Sequence, residues 1–131
     1  MRAGIIAIVG LLCVCHTQSA DAHHSLASEF DESKPLTLQG VITKIDWLNP
    51  HVYIYLDVKN PGGATSWSLE TLPPATLRRG GLRKEMLGLG QTVTVLVYQA
   101  RATANLAFLR KITFADGHEV VVWVGDVKQA K

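Results

Sequence analysis

The sequence predicts an all-β domain with one short helix, an OB-like small barrel of five or six strands. Three observations carry this reading. Apolar residues alternate with polar ones in several runs of strand length. Turn residues separate those runs, most clearly Asn60-Pro61-Gly62-Gly63 and Asp116-Gly117. One run of helix formers, Ala75 to Arg79, falls between the third and fourth strands, where it can plug the end of a barrel and bury Leu77 and Leu82. A small open β-sandwich is the competing architecture.

The first strand starts at Leu36, where Leu36, Leu38, Gly40 and Ile42 share one face and Thr37, Gln39, Val41, Thr43 and Ile45 the other; it breaks at Asn49-Pro50. Val52, Ile54, Leu56 and Val58 alternate with His51, Tyr53, Tyr55 and Asp57 in a second, antiparallel strand. Thr65 to Glu70 makes a third, stopped by Pro73-Pro74 because proline cannot donate to a ladder. Pro74 suits the first turn of the helix and Gly80-Gly81 its end, and Leu82 to Leu87 adds a further turn. Val93, Val95 and Val97 mark the fourth strand. Leu106 to Phe114 and His118 to Val124 form a terminal hairpin about Asp116-Gly117. The expected core is Ile42, Val52, Ile54, Leu56, Val93, Val95, Val97 and Ile112.

Residues 1–22 read as a signal peptide: Arg2, an apolar run from Ile5 to Val14, and small residues at Ala20-Asp21-Ala22. A run of about ten residues is short of the roughly 20 that span a bilayer, so periplasmic or secreted localisation without stable membrane insertion is expected. Cleavage after Ala22 is preferred to cleavage after Ala20, which would put Gln18 at the −3 position. Cys13 and Cys15 fall within this segment and follow Leu12 and Val14, so neither has the small preceding residue of a lipoprotein site. The mature chain has no cysteine, which leaves neither a disulfide nor a thiolate ligand or nucleophile.

Removing 22 of 131 residues leaves 109, enough for one unstapled domain. The expected division is an extended N-terminal segment at 23–35, the OB-like barrel at 36–127 and a tail at 128–131, in a monomer. Loss of Arg2 and Asp21 leaves 12 basic against 10 acidic residues, which argues against nucleic acid as a partner. An unknown small ligand or a periplasmic protein is the expected partner.

Several motifs then occur in order: His23-His24-Ser25, Glu29-Phe30-Asp31, Gly40, Asp46-Trp47-Leu48-Asn49-Pro50-His51, Trp67-Ser68-Leu69-Glu70, Pro74 and Leu77-Arg78-Arg79-Gly80. Together they resemble a family of small exported bacterial proteins of unknown function. The resemblance implies an exported, OB-like β domain whose motifs include the histidine pair and the Asn-Pro-His turn, and it implies no activity.

Cleavage after Ala22 would expose the amine of His23, and an amine with imidazoles suits copper or zinc; His23, His24 and His51 are therefore the candidate metal ligands. The plain roles are a frayed terminus for His23 and His24 and a turn-fixing hydrogen bond for His51. Tyr53, Tyr55, Trp67 and Tyr98 are candidates for an aromatic saccharide- or peptide-binding face, against core packing. Trp47 and Trp123 are assigned to packing, and His118 to a solvated turn. Arg78, Arg79 and Arg83, with Lys84, form a basic patch for an anion or partner, against a solvated face; Glu70 is expected to pair with one of these arginines. No serine has a nucleophile-elbow context, and Gly88-Leu89-Gly90 precedes a strand where a phosphate loop would need a helix. The expected function is an exported binding or accessory module, metal first and saccharide or peptide second; a copper-dependent enzyme is the lesser alternative.

Overall fold

The computed structural model describes residues 26–123. The strands are β1 (Phe30–Asp46), β2 (Tyr53–Asn60), β3 (Gly63–Glu70), β4 (Thr92–Ala100), β5 (Leu106–Thr113) and β6 (Glu119–Val121). Helix α1 (Pro74–Arg79) and a 3-10 turn (Lys84–Met86) lie between β3 and β4. The sheet order is β3-β2-β1-β4-β5-β6, and a further pairing of β3 with β5 closes five strands into a barrel-like ring. That closure is parallel and short, Ser68 to Glu70 against Leu106 to Phe108, so the ring is less regular than an ideal barrel. All other pairings are antiparallel, and β6 hangs on the outside edge of β5.

All eight residues expected in the core are buried, joined by Leu38, Leu69, Leu87, Ala107 and Leu109. Helix α1 starts on Pro74 and ends at Gly80; it buries Leu77, and the Leu82 amide donates to the Leu77 carbonyl at 2.9 Å, folding Leu82 in beside it.

Two details of β1 differ from the sequence reading. The strand starts at Phe30, ahead of Leu36, because Phe30 pairs with Ala100 and is itself buried. Between Ile42 and Lys44 the register against β2 shifts by one residue. This bulge inverts the alternation. Ile45, expected on the outer face, instead lies opposite Ile54 and packs against the core, while Lys44 and Asp46 turn outward opposite Tyr55 and Tyr53.

The outward residues form a row across neighbouring strands: Asp46 opposite Tyr53, Tyr53 opposite Glu70, Glu70 beside Phe108, Phe108 opposite Tyr98. Phe30, Tyr98 and Phe108 build a second, smaller cluster on this face, with Leu26 and Trp123 packed on it. Phe30 tilts on Phe108 at 5.6 Å, and Trp123 meets Phe108 edge-on at 6.1 Å.

Candidate functional site: a carboxylate held between histidine and tyrosine

The end of β3 is pinned to the start of β2. Buried Thr71 donates both its amide and its hydroxyl to the Val52 carbonyl, each at 2.9 Å, and the Val52 amide donates to the Leu72 carbonyl at 3.2 Å. The Asn49–Pro50 peptide bond preceding this lock is cis. With Val52 fully buried, the pleat sends His51 and Tyr53 to the opposite, outer face.

There they converge on Glu70. His51 Nδ1 lies 2.7 Å from Glu70 Oε1, and the Tyr53 hydroxyl donates to Glu70 Oε2 at 3.0 Å. The carboxylate is 13% exposed and the imidazole 43%, so the acid is sheltered and the ring reaches outward. With Nδ1 engaged, Nε2 is the imidazole nitrogen left for an external ligand. Burial first, then the bond to Glu70 and the charge of Glu70, push the Tyr53 hydroxyl up to about 12, with smaller contributions from Tyr55 and Glu29. Tyr53 therefore remains a donor to Glu70 throughout the neutral range.

A cleft of about 180 Å³ adjoins Glu70 and is also lined by Ser28, Glu29, Phe30, Arg101 and Thr103. Arg101 fastens the N-terminal segment along it. Its amide donates to the Glu29 carbonyl at 2.8 Å, its Nε to the Ala27 carbonyl at 3.2 Å, and its Nη2 lies 3.7 Å from Asp31. Bonds from the Ser33 hydroxyl and amide hold the Asp31 carboxyl below its ordinary range, with a smaller pull from Arg101.

Further along β2, Tyr53 and Tyr55 stack at 6.5 Å. The Tyr55 hydroxyl donates to Asp46 at 3.1 Å, and Lys44 both donates to Asp46 at 2.8 Å and sits 4.8 Å above the Tyr55 ring.

Of the aromatic face expected from sequence, the structure brings together only Tyr53 and Tyr55. Trp67, opposite Leu56, packs against the main core, and Tyr98 is buried in the second cluster with Arg110 over its ring. Trp47 and Trp123 are packed on the main and second clusters. His118 is exposed and stacks on Phe114 at 6.0 Å. Arg78, Arg79 and Arg83 are exposed; the expected arginine partnership of Glu70 is replaced by His51 and Tyr53, which the hairpin register places nearer. His23 and His24 lie outside the described residues. Among the described residues no group of three or more histidine, aspartate or glutamate side chains could hold a metal ion, so any such site draws ligands from beyond them.

The molecule thus falls in the class of small β-barrel-like domains with one plugging helix and a histidine–carboxylate–tyrosine cluster on the outer wall. The chain belongs to the family of unknown function DUF6152, whose profile matches residues 10–108. No curated protein and no solved structure matches it. Among the described residues no helix is long and apolar enough to cross a membrane.

Proposed function

We propose that this chain is an exported, periplasmic binding or accessory module that takes a transition-metal ion, copper or zinc, through His51 together with the amine and imidazoles of His23 and His24. The observation that carries the reading is the bond between His51 Nδ1 and Glu70. A ligating histidine commonly gives its second ring nitrogen to a carboxylate, which fixes the tautomer, orients the ring and raises its basicity. Glu70 supplies that partner and is itself steadied by Tyr53. Arg101 ties down residues 27 and 29, and His23 stands three residues before Leu26 in sequence, a separation of at most about 10 Å.

The test is calorimetric titration with Cu(II) and with Zn(II) of protein processed to start at His23. Saturable one-site binding is expected, weaker in acid because the nitrogens must be unprotonated, and roughly 10- to 100-fold weaker for Glu70→Gln. One extra residue ahead of His23 should weaken copper binding as well. Absence of binding, or equal affinity in all versions, overturns the proposal.

A second reading, a saccharide or peptide on the outer wall, is favoured by the stacked Tyr53–Tyr55 pair with Lys44 and Asp46 at its border. It predicts ligand-induced change in tyrosine fluorescence that survives loss of His51.

A further inference from the structure

We infer that the open edge of β6 and the groove beside it form a docking surface for an extended, acidic peptide segment of a partner protein. Among the described residues strand β6 pairs only with β5. The Phe114 amide donates to the His118 carbonyl and the Val122 amide to the Arg110 carbonyl, both at 2.8 Å. In an antiparallel ladder such bonds fall on alternate residues. Positions 118, 120 and 122 therefore face β5, and the N–H and C=O groups of Glu119 and Val121 point to the open side. Val121 is 49% exposed and Val120 is buried.

The open side borders a groove of about 300 Å³, lined by Leu72, Leu77, Leu82, Val120, Val121 and Arg79 among others. A segment added to this edge would bond its main chain to Val121 and rest alternate side chains against the half-buried Leu72 and the exposed Val121. The charge around the groove selects the occupant. Arg78, Arg79, Arg83 and Lys84 are all exposed, none forms an ion pair with another described residue, and Glu85 is the single acid among residues 78–85. Among the described residues Arg79 reaches only the Thr76 hydroxyl, at 3.4 Å. Arg79 at the rim of an apolar groove, with three further exposed cations within five residues of it in sequence and Glu119 of β6 already paired with Lys111, complements a peptide that alternates apolar and carboxylate side chains. None of these residues belongs to the His51 cluster, so this surface stands or falls apart from the metal reading.

The experiment is fluorescence anisotropy of a labelled octapeptide of alternating valine and aspartate, titrated with the full processed chain. Saturable binding is expected, with a drop of roughly tenfold for Arg79→Glu. Val121→Pro should abolish binding while leaving the melting temperature unchanged, because that N–H serves no bond to β5. Val121→Thr should retain it. If Val121→Pro fails to fold, Arg79→Glu with Arg83→Glu, both on the surface, still tests the charge requirement. The proposal is overturned if the wild-type chain does not bind the peptide, or if a valine–lysine peptide binds equally well. It is likewise overturned if the chain dimerises through this edge, or if anionic phosphatidylglycerol vesicles bind and the peptide does not.

Discussion

At Gly40 strand β1 crosses β2 so closely that an added Cβ would lie 2.8 Å from the Asp57 carbonyl oxygen, 3.1 Å from Val58 Cγ2 and 3.2 Å from Leu56 Cβ. The first of these atoms is main chain and cannot rotate away. Gly40→Ala therefore forces β1 off β2 just before the bulge that turns Lys44 and Asp46 toward Tyr55. Overpacking of this kind costs about 1–3 kcal/mol. Alanine also restricts the unfolded chain, which returns about 0.4–1 kcal/mol. The expected net loss is about 1–2 kcal/mol, and at about 4–8 °C per kcal/mol for a domain of this size the melting temperature should fall by roughly 10 °C. Thermal unfolding followed by far-ultraviolet circular dichroism measures it. Gly62→Ala is the control, because the nearest atom to its added Cβ is Asn60 Oδ1 at an ordinary 3.5 Å; its effect should stay within about 0.5 kcal/mol. A Gly40→Ala protein melting within about 2 °C of the parent, or a Gly62→Ala protein falling as far, refutes the close-approach argument.

Ile54→Asp or Val95→Asp should abolish the cooperative melt, since an unpaired charge at these buried sites costs several kcal/mol against a total of about 5–15; a folded variant with the parent's transition contradicts the inward assignment. Tyr53 ionises at about 12 in the folded chain against an ordinary 10, so its contribution to stability is complete below pH 10 and is lost as pH rises toward 12. Urea midpoints across that range should fall in the parent more than in Tyr53→Phe, and equal slopes would contradict the Tyr53–Glu70 bond. Arg101→Ala should leave the main core intact yet weaken copper binding by freeing residues 27–29, with circular dichroism and calorimetry as the paired readouts. Intact mass of protein purified from its native host should correspond to a chain starting at His23; retention of residues 1–22, or a lipid on Cys13 or Cys15, contradicts export in the proposed form.

Strands β2 and β4 were legible because one face of each is buried and the other, Tyr98 apart, is not, so the burial period of two is written directly in Val52-Ile54-Leu56 and Val93-Val95-Val97. The helix was legible from Pro74 and Gly80 at its ends. The bulge in β1 was not, because an extra residue in one strand needs no special side chain, and its effect on Ile45 exists only relative to β2. The Tyr53–Glu70 pair was within reach of sequence. The β2–β3 turn sets Asn60 opposite Gly63, and counting outward from it arrives at Tyr53 opposite Glu70, with His51 two residues before Tyr53 on the same face. By contrast, Glu29 and Arg101 reach the cluster through closure of β3 on β5 and through Phe30 pairing with Ala100, contacts between distant segments that no local pattern encodes.

The closure of the ring explains why the candidate chemistry gathers where it does. Where β3 meets β5 the pairing is parallel and only three residues long, which leaves the outer side of that seam to be covered by side chains. Phe30, Phe108, Tyr98 and Trp123 supply the apolar cover, and residues 26–30 are drawn across it by that cluster and by Arg101. Glu70 ends β3 at the border of this cover. An isolated carboxylate there would suffer loss of solvent on one side, and His51 and Tyr53 offset that loss by occupying both its oxygens. The same arrangement leaves an outward imidazole on a carboxylate that itself borders the cleft lined by residues 28–30. Structural need and the proposed ligand role thus fall on one carboxylate, and replacing it by glutamine separates them: the neutral amide still accepts from Tyr53, but it no longer presents a charged acceptor to hold His51 in the orientation that the proposed metal site would require.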